Sequence, residues 1–244
     1  MDRSATPRLA ELSWAKAAEW FRRDPRLILP AGSCVQHGPH LPLGSDAIIV
    51  TAIAEGIAKR HSVLLGPTLP FGTVSSRDEA YAGTAGLGAK TLHRVLNELI
   101  AGWEGHGVRE FILLTSHGYG AHYGALVSAI SAGARIRAID INVVDLAPVL
   151  GSRPPVERAG EVETSLLLHL APSLVSLDLA CDEVVETAVL KRLLDGSEPV
   201  PLPGSAGVIG KPTLAASEKG QRIYEYLVAY IGDRLFGGAD ESPA

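Results

Sequence analysis

Residues 32 to 46 read Gly-Ser-Cys-Val-Gln-His-Gly-Pro-His-Leu-Pro-Leu-Gly-Ser-Asp. His37, His40 and Asp46 are carried by three glycines and two prolines, directly after the apolar run 27–31. Glycine and proline hold backbone conformations that other residues avoid, so this is a rigid polar loop at the end of a buried strand. Imidazole and carboxylate are the side chains that bind zinc, manganese or iron. Such a loop is therefore a candidate ligand platform; the plainer reading is a tight turn with incidental polar residues. Two more groups qualify. His117, followed by Gly118, also stands straight after an apolar run. Glu163 lies near the start of a helix, where a carboxylate serves equally well as a dipole partner or a member of a capping box. His40 is expected behind the ligands or against substrate. The remaining histidines, His61, His93, His106, His122 and His169, occupy helical or terminal contexts and are expected to have ordinary core or surface roles.

The elements that must position these groups follow from periodicity. Helices are expected at 8–23, 47–60, 90–106, 121–134, 160–169 and 221–236, and strands at 27–31, 62–65, 110–115 and 138–145. Strands alternating with helices imply a mostly parallel sheet covered on both faces, a single-domain layered α/β/α arrangement over residues 1–244. Ligands in such sheets sit beyond the carboxyl ends of the strands, and both histidine loops fall there. No repeat or low-complexity linker interrupts the chain, and 195–203 is expected to be an exposed loop. Helix 121–134, rich in small residues, reads as a core helix before it reads as a subunit interface.

Composition narrows the function. The 244 residues carry 46% hydrophobic and 20% charged side chains and a net charge of −5, ordinary values for a globular protein. No basic cluster marks a nucleic-acid partner, and no apolar run approaches the ~20 residues that cross a bilayer. The first residues lack the apolar stretch of a signal peptide. Cys34 and Cys181 make no disulfide framework, which fits a reducing, cytoplasmic setting. Nothing near Cys34 marks it as an activated thiol.

With these residues in view the chain resembles the creatininase (creatinine amidohydrolase) family along nearly its whole length. The matches run in order: Leu12-Ser13-Trp14, the loop 32–46, Ala82-Gly83-Thr84, Thr115 to Gly120, Arg158 to Ser165, and Gly207 to Gly220. The resemblance implies a two-metal site for amide hydrolysis. One ion would be held by a Glu at position 35, Asp46 and His117, and the other by His37, Asp46 and Glu163. It also implies a homo-oligomer, a hexamer in this family.

Two departures redirect that expectation. Position 35 is Val, which cannot ligate, so the first metal keeps only Asp46 and His117 and should be weak or absent. Position 158 is Arg where the family has a catalytic His. Arginine stays protonated near neutral pH, so it cannot act as a base, although it can clamp an anion. Gly120 and Lys211 replace an Asn and an Asp. The expectation is one divalent ion (Zn, Mn or Fe) held by His37, Asp46 and Glu163 with His117 in reach. The ion would activate water or polarise the carbonyl of an amide or lactam in a small, anionic substrate, or serve the reverse ring closure. Arg158, His40 and Tyr119 would contact substrate. Glu161, Glu157 or Asp78 would shuttle the proton. The rival expectation is a catalytically inactive member that binds a small molecule or supports a partner subunit.

Overall fold

The fold is described from a computed structural model, over residues 7–76, 78–152, 157–186 and 204–237. Helix α1 (Trp14–Arg23) leads into strand β1 (Arg26–Ala31), helix α2 (Ser45–His61) and the short strand β2 (Leu64–Leu65). Helix α3 (Ala89–Gly105), strand β3 (Glu110–Thr115), helix α4 (Gly120–Val127) and strand β4 (Arg135–Asp140) follow. The short helix α5 (Ala147–Leu150), then α6 (Glu161–Leu170) and α7 (Ser217–Phe236), complete the described elements. The four strands pair in parallel in the order β2-β1-β3-β4.

Both central strands are buried from the second residue onward, as a parallel sheet covered on two faces requires. Alternate side chains part to opposite layers. Leu27, Leu29, Phe111 and Leu113 pack with α1, α3 and α4, through Phe21, Leu96, Ile100 and Leu126. Ile28, Ile112 and Leu114 pack with α2, α6 and α7, through Ile53, Ile57, Leu167 and Ile223. Each such side chain contributes roughly 1.5–3 kcal/mol of burial. The expected α/β/α layering is what the chain forms.

Several boundaries differ from the periodicity, each for a local reason. Helix α1 begins at Trp14 rather than residue 8, because the Ser13 hydroxyl caps it by accepting the Lys16 N–H at 3.5 Å. Helix α4 stops at Val127, not 134. The Ser128 hydroxyl donates to the Gly124 carbonyl at 2.7 Å. Just beyond, the N–H groups of residues 132–134 all donate to the Glu104 carboxylate. His122, Ala125 and Leu126 are buried, so α4 is a core helix. Strand β4 occupies 135–140, in register with β3, and ends where the Asp140 carboxylate accepts the Asn142 N–H at 2.9 Å. Val143, expected inside the strand, is 72% exposed in a 3₁₀ turn. The expected loop at 195–203 lies outside the described residues. No helix of the described residues is long and apolar enough to cross a membrane.

Helix α7 packs against α6 at Gly220, where a β-carbon would collide with the Ser165 carbonyl. That approach sets the position of the helix bearing Glu163. Gly220→Ala should destabilise the chain by about 1–3 kcal/mol through overpacking, read as a lower urea midpoint with unchanged slope. A midpoint equal to that of the unmodified chain would show that the two helices are not held by this contact.

Candidate metal centre

The carboxyl ends of β1 and β3 open into the two histidine loops, and Asp46 stands in the first turn of α2 behind them. Gln36 fixes the first loop. Its Oε1 accepts the Gly38 N–H at 2.9 Å, while its Nε2 donates to Asp78 Oδ1 and the Gly207 carbonyl, both at 3.1 Å. Gly207 has φ of +81° and no room for a β-carbon against the Gln36 amide. This explains why glycine is needed there.

His37 is thereby buried with one orientation. Its Nδ1 lies 2.9 Å from the Val35 carbonyl and donates to it. That hydrogen bond leaves Nε2 facing Asp46 Oδ1 at 3.3 Å and Glu163 Oε1 at 3.9 Å. A backbone carbonyl on the distal nitrogen is how ligating imidazoles are usually held. Glu163 sits in the first turn of α6, and its second oxygen accepts the N–H of Ala159, a residue at φ of +50°. The capping and ligating readings of Glu163 are thus compatible: one oxygen caps, the other faces His37.

The ligand atoms of His37, Asp46 and Glu163 all lie within 4.8 Å of one another. Donors about 2.0–2.2 Å from a shared ion lie at most about 4.4 Å apart, so the set could hold a divalent cation once the side chains draw slightly together. Electrostatics agree. Burial opposes charge on His37, but Asp46 and Glu163 outweigh it and raise the pKa of the imidazole. Burial likewise opposes the Asp46 charge, yet His37 and His117 hold its carboxyl well below the usual range.

The other oxygen of Asp46 faces a different set. Asp46 Oδ2 lies 2.8 Å from His117 Nδ1 and accepts the Ser33 hydroxyl, while His117 Nε2 lies 2.8 Å from the Thr73 carbonyl. Val35 is fully buried here and brings no donor. The structure thus gathers His37, Glu163 and His117 around Asp46, and His37, Asp46 and Glu163 form the compact group.

The remaining expected residues take other places. His40 is buried with Nε2 at 3.0 Å from Thr164 Oγ1, a contact made to the body of α6. Tyr119 is half-buried at the start of α4, its ring 6.2 Å from that of His117. Arg158 donates through Nη2 to the Gln36 carbonyl at 3.0 Å and lies 3.3 Å from Asp78 Oδ1. Asp78 also accepts the Ser75 hydroxyl at 2.7 Å. The guanidinium is therefore built into the support of the His37 loop, although its Nε has no partner among the described residues. Glu161 is ion-paired with Lys219 of α7. Glu157 receives the N–H groups of Glu161 and Val162 at 2.9 and 2.6 Å. Burial, and next the charge of Glu163, push its pKa up to about 7.

Three contributors carry no distinguishing signal in the sequence: Ser33, Thr73 and His122. Serine and threonine have no ligand signature, and Thr73 lies in an irregular stretch. His122 falls on a helix, where a core role is the ordinary expectation, but it is fully buried with its ring 5.0 Å from His117. Burial, then the neighbouring His117, lowers its pKa to about 4.

A parallel α/β/α sheet thus carries, at its carboxyl edge, a carboxylate-imidazole group that could hold a metal ion. The chain belongs to the creatininase family: residues 10–235 match the family described as creatinine amidohydrolase. It is 32% identical to a mycofactocin precursor peptide peptidase of Mycobacterium ulcerans, over 91% of this chain and 89% of that one. It is 28% identical to the creatinine amidohydrolase of Pseudomonas putida, over 93% and 95% of the two chains. Among solved structures, a creatinine amidohydrolase superposes with a TM-score of 0.79 at 24% identity, covering 97% of this chain and 99% of that one. A creatininase titled for Mn gives the same score and identity over 97% and 100%.

The raised pKa of Glu157 has a pH consequence. A carboxyl that is about 4.5 when unfolded and about 7 when folded stabilises the fold fully below pH 4.5, and that contribution fades as pH rises through 7. In chelator-treated protein, Glu157→Gln should remove about 1–3 kcal/mol of this pH dependence; its single amide oxygen accepts only one of the two α6 N–H groups, a loss that is the same at every pH. Urea midpoints between pH 5 and 8 that fall equally in both proteins would contradict the assignment.

Proposed function

We propose that this protein is a hydrolase of non-peptide or peptide-derived carbon–nitrogen bonds, an amidohydrolase using one divalent ion held by His37, Asp46 and Glu163. The observation that carries the proposal is the compact ligand group itself, with His37 Nε2 freed toward both carboxylates by its bond to the Val35 carbonyl. Relatives named as a creatinine amidohydrolase and a precursor peptide peptidase support amide chemistry. Creatininase structures titled for Mn and as Zn–Zn type support that class of ion.

When bound, the ion supplies acidity to a water and an electrophile for the substrate carbonyl. The protein's part is orientation and charge. Asp46 Oδ1 and Glu163 Oε1 bring negative charge to the ligand group, and the support around Gln36 keeps His37 from turning away. Hydrolysis adds water across the C–N bond, so a proton must reach the departing nitrogen. Among the candidate carriers Glu157 lies half-buried at the start of the helix that bears Glu163, whereas Glu161 is paired with Lys219. Arg158, whose Nε has no partner among the described residues, supports an anionic substrate. The rival reading is a family member that binds without catalysis, supported by Val35 and by the anchoring of Arg158.

Chelation should abolish ring opening of cyclic amides and amine release from linear ones, and Mn or Zn should restore both. Absence of hydrolysis by protein that retains its ion would favour the binding reading. Glu163→Gln keeps an oxygen for the Ala159 N–H but loses the charge. Its ion affinity by calorimetry should drop by more than the roughly 10–100-fold cost of losing an outer partner, with little change in melting temperature. Unchanged affinity would remove Glu163 from the ligand set.

A further inference from the structure

Four hydrogen bonds close a ring behind the ligand group. The Thr73 N–H faces His122 Nδ1 at 3.4 Å, and His122 Nε2 lies 3.1 Å from Thr115 Oγ1. That hydroxyl also accepts the His117 N–H at 3.0 Å, and His117 Nε2 returns to the Thr73 carbonyl at 2.8 Å. The polarity around the ring is fixed. A backbone N–H only donates, so His122 Nδ1 is the acceptor and its Nε2 carries the hydrogen given to Thr115. The carbonyl of Thr73 only accepts, so His117 carries a hydrogen on Nε2 and turns Nδ1 toward Asp46.

The ring is also sterically closed. His122 is fully buried, and Gly72 presses against its imidazole so tightly that a β-carbon there would lie 2.6 Å from Nδ1. The Gly72 carbonyl is itself tied to the Leu87 N–H at 2.8 Å. A buried histidine on a core helix needs neither this polar complement nor this contact with the segment before Thr73.

We propose that His122 is a positioning residue: through the Thr73 peptide and the Thr115 hydroxyl it fixes the ring of His117 against Asp46. The consequence for ion binding rests on the proposed amidohydrolase function, but the positioning of His117 does not. His122→Phe keeps an aromatic ring in the same space and removes both polar contacts. His122→Gln offers an oxygen near the Thr73 N–H and an NH₂ near Thr115, and serves as the conservative variant.

The test is imidazole ¹⁵N–¹H NMR of the full-length, metal-free protein. In the unmodified chain the His117 Nε2 hydrogen should exchange slowly with solvent. In His122→Phe it should exchange at least about tenfold faster, with most of the protection regained in His122→Gln. Thr115→Val, which breaks the ring at another corner, should give the same loss and decides the matter if the Phe variant does not fold. Wild-type exchange rates in both Thr115→Val and whichever His122 variant folds would overturn the proposal. Mn or Zn affinity should fall about 10–100-fold in His122→Phe. If the unmodified chain binds neither ion, the ion site fails, and the exchange rates still decide the role of His122.

Discussion

A single carboxylate, Asp46, is buried to 1% exposure between two imidazoles, and the rest of the site is arranged around its charge. Removing such a charge from water costs several kcal/mol even after relaxation, unless it is paired and hydrogen-bonded. Here one oxygen faces His37 and the other faces His117 and the Ser33 hydroxyl. The first turn of α2 adds its dipole. The partners come from the ends of β1 and β3, so the sheet must be intact before the charge can be accommodated. The same dependence ties the ligand group to the core, because α2 and α6 bury their apolar faces on one side of the same sheet.

Val35 and Arg158 are both built into this frame. His37 is oriented by the main-chain carbonyl of residue 35, which valine supplies as well as glutamate would. At position 158 the guanidinium joins Asp78 and Gln36 in a network that braces the His37 loop from outside.

Much of this was legible in the chain. The parallel α/β/α class followed from alternating strand and helix periods. His37 and Asp46 stood out because ligand side chains set among Gly and Pro mark a backbone of fixed geometry, and Glu163 because it opens a helix at the same sheet edge. What escaped has physical causes. Helix α4 is cut short by Ser128 and Glu104, one adjacent and one distant in sequence, and periodicity registers neither. Thr73, Thr115 and His122 act through backbone groups brought together only by folding. The pairing of Glu161 with Lys219 likewise depends on the close approach of α6 and α7.

The most direct test of the account is anomalous diffraction from crystals of the full chain soaked in Mn or Zn. One peak is predicted, within bonding distance of His37 Nε2, Asp46 Oδ1 and Glu163 Oε1. Two peaks on either side of the Asp46 carboxylate, or none near it, would contradict the single-ion site.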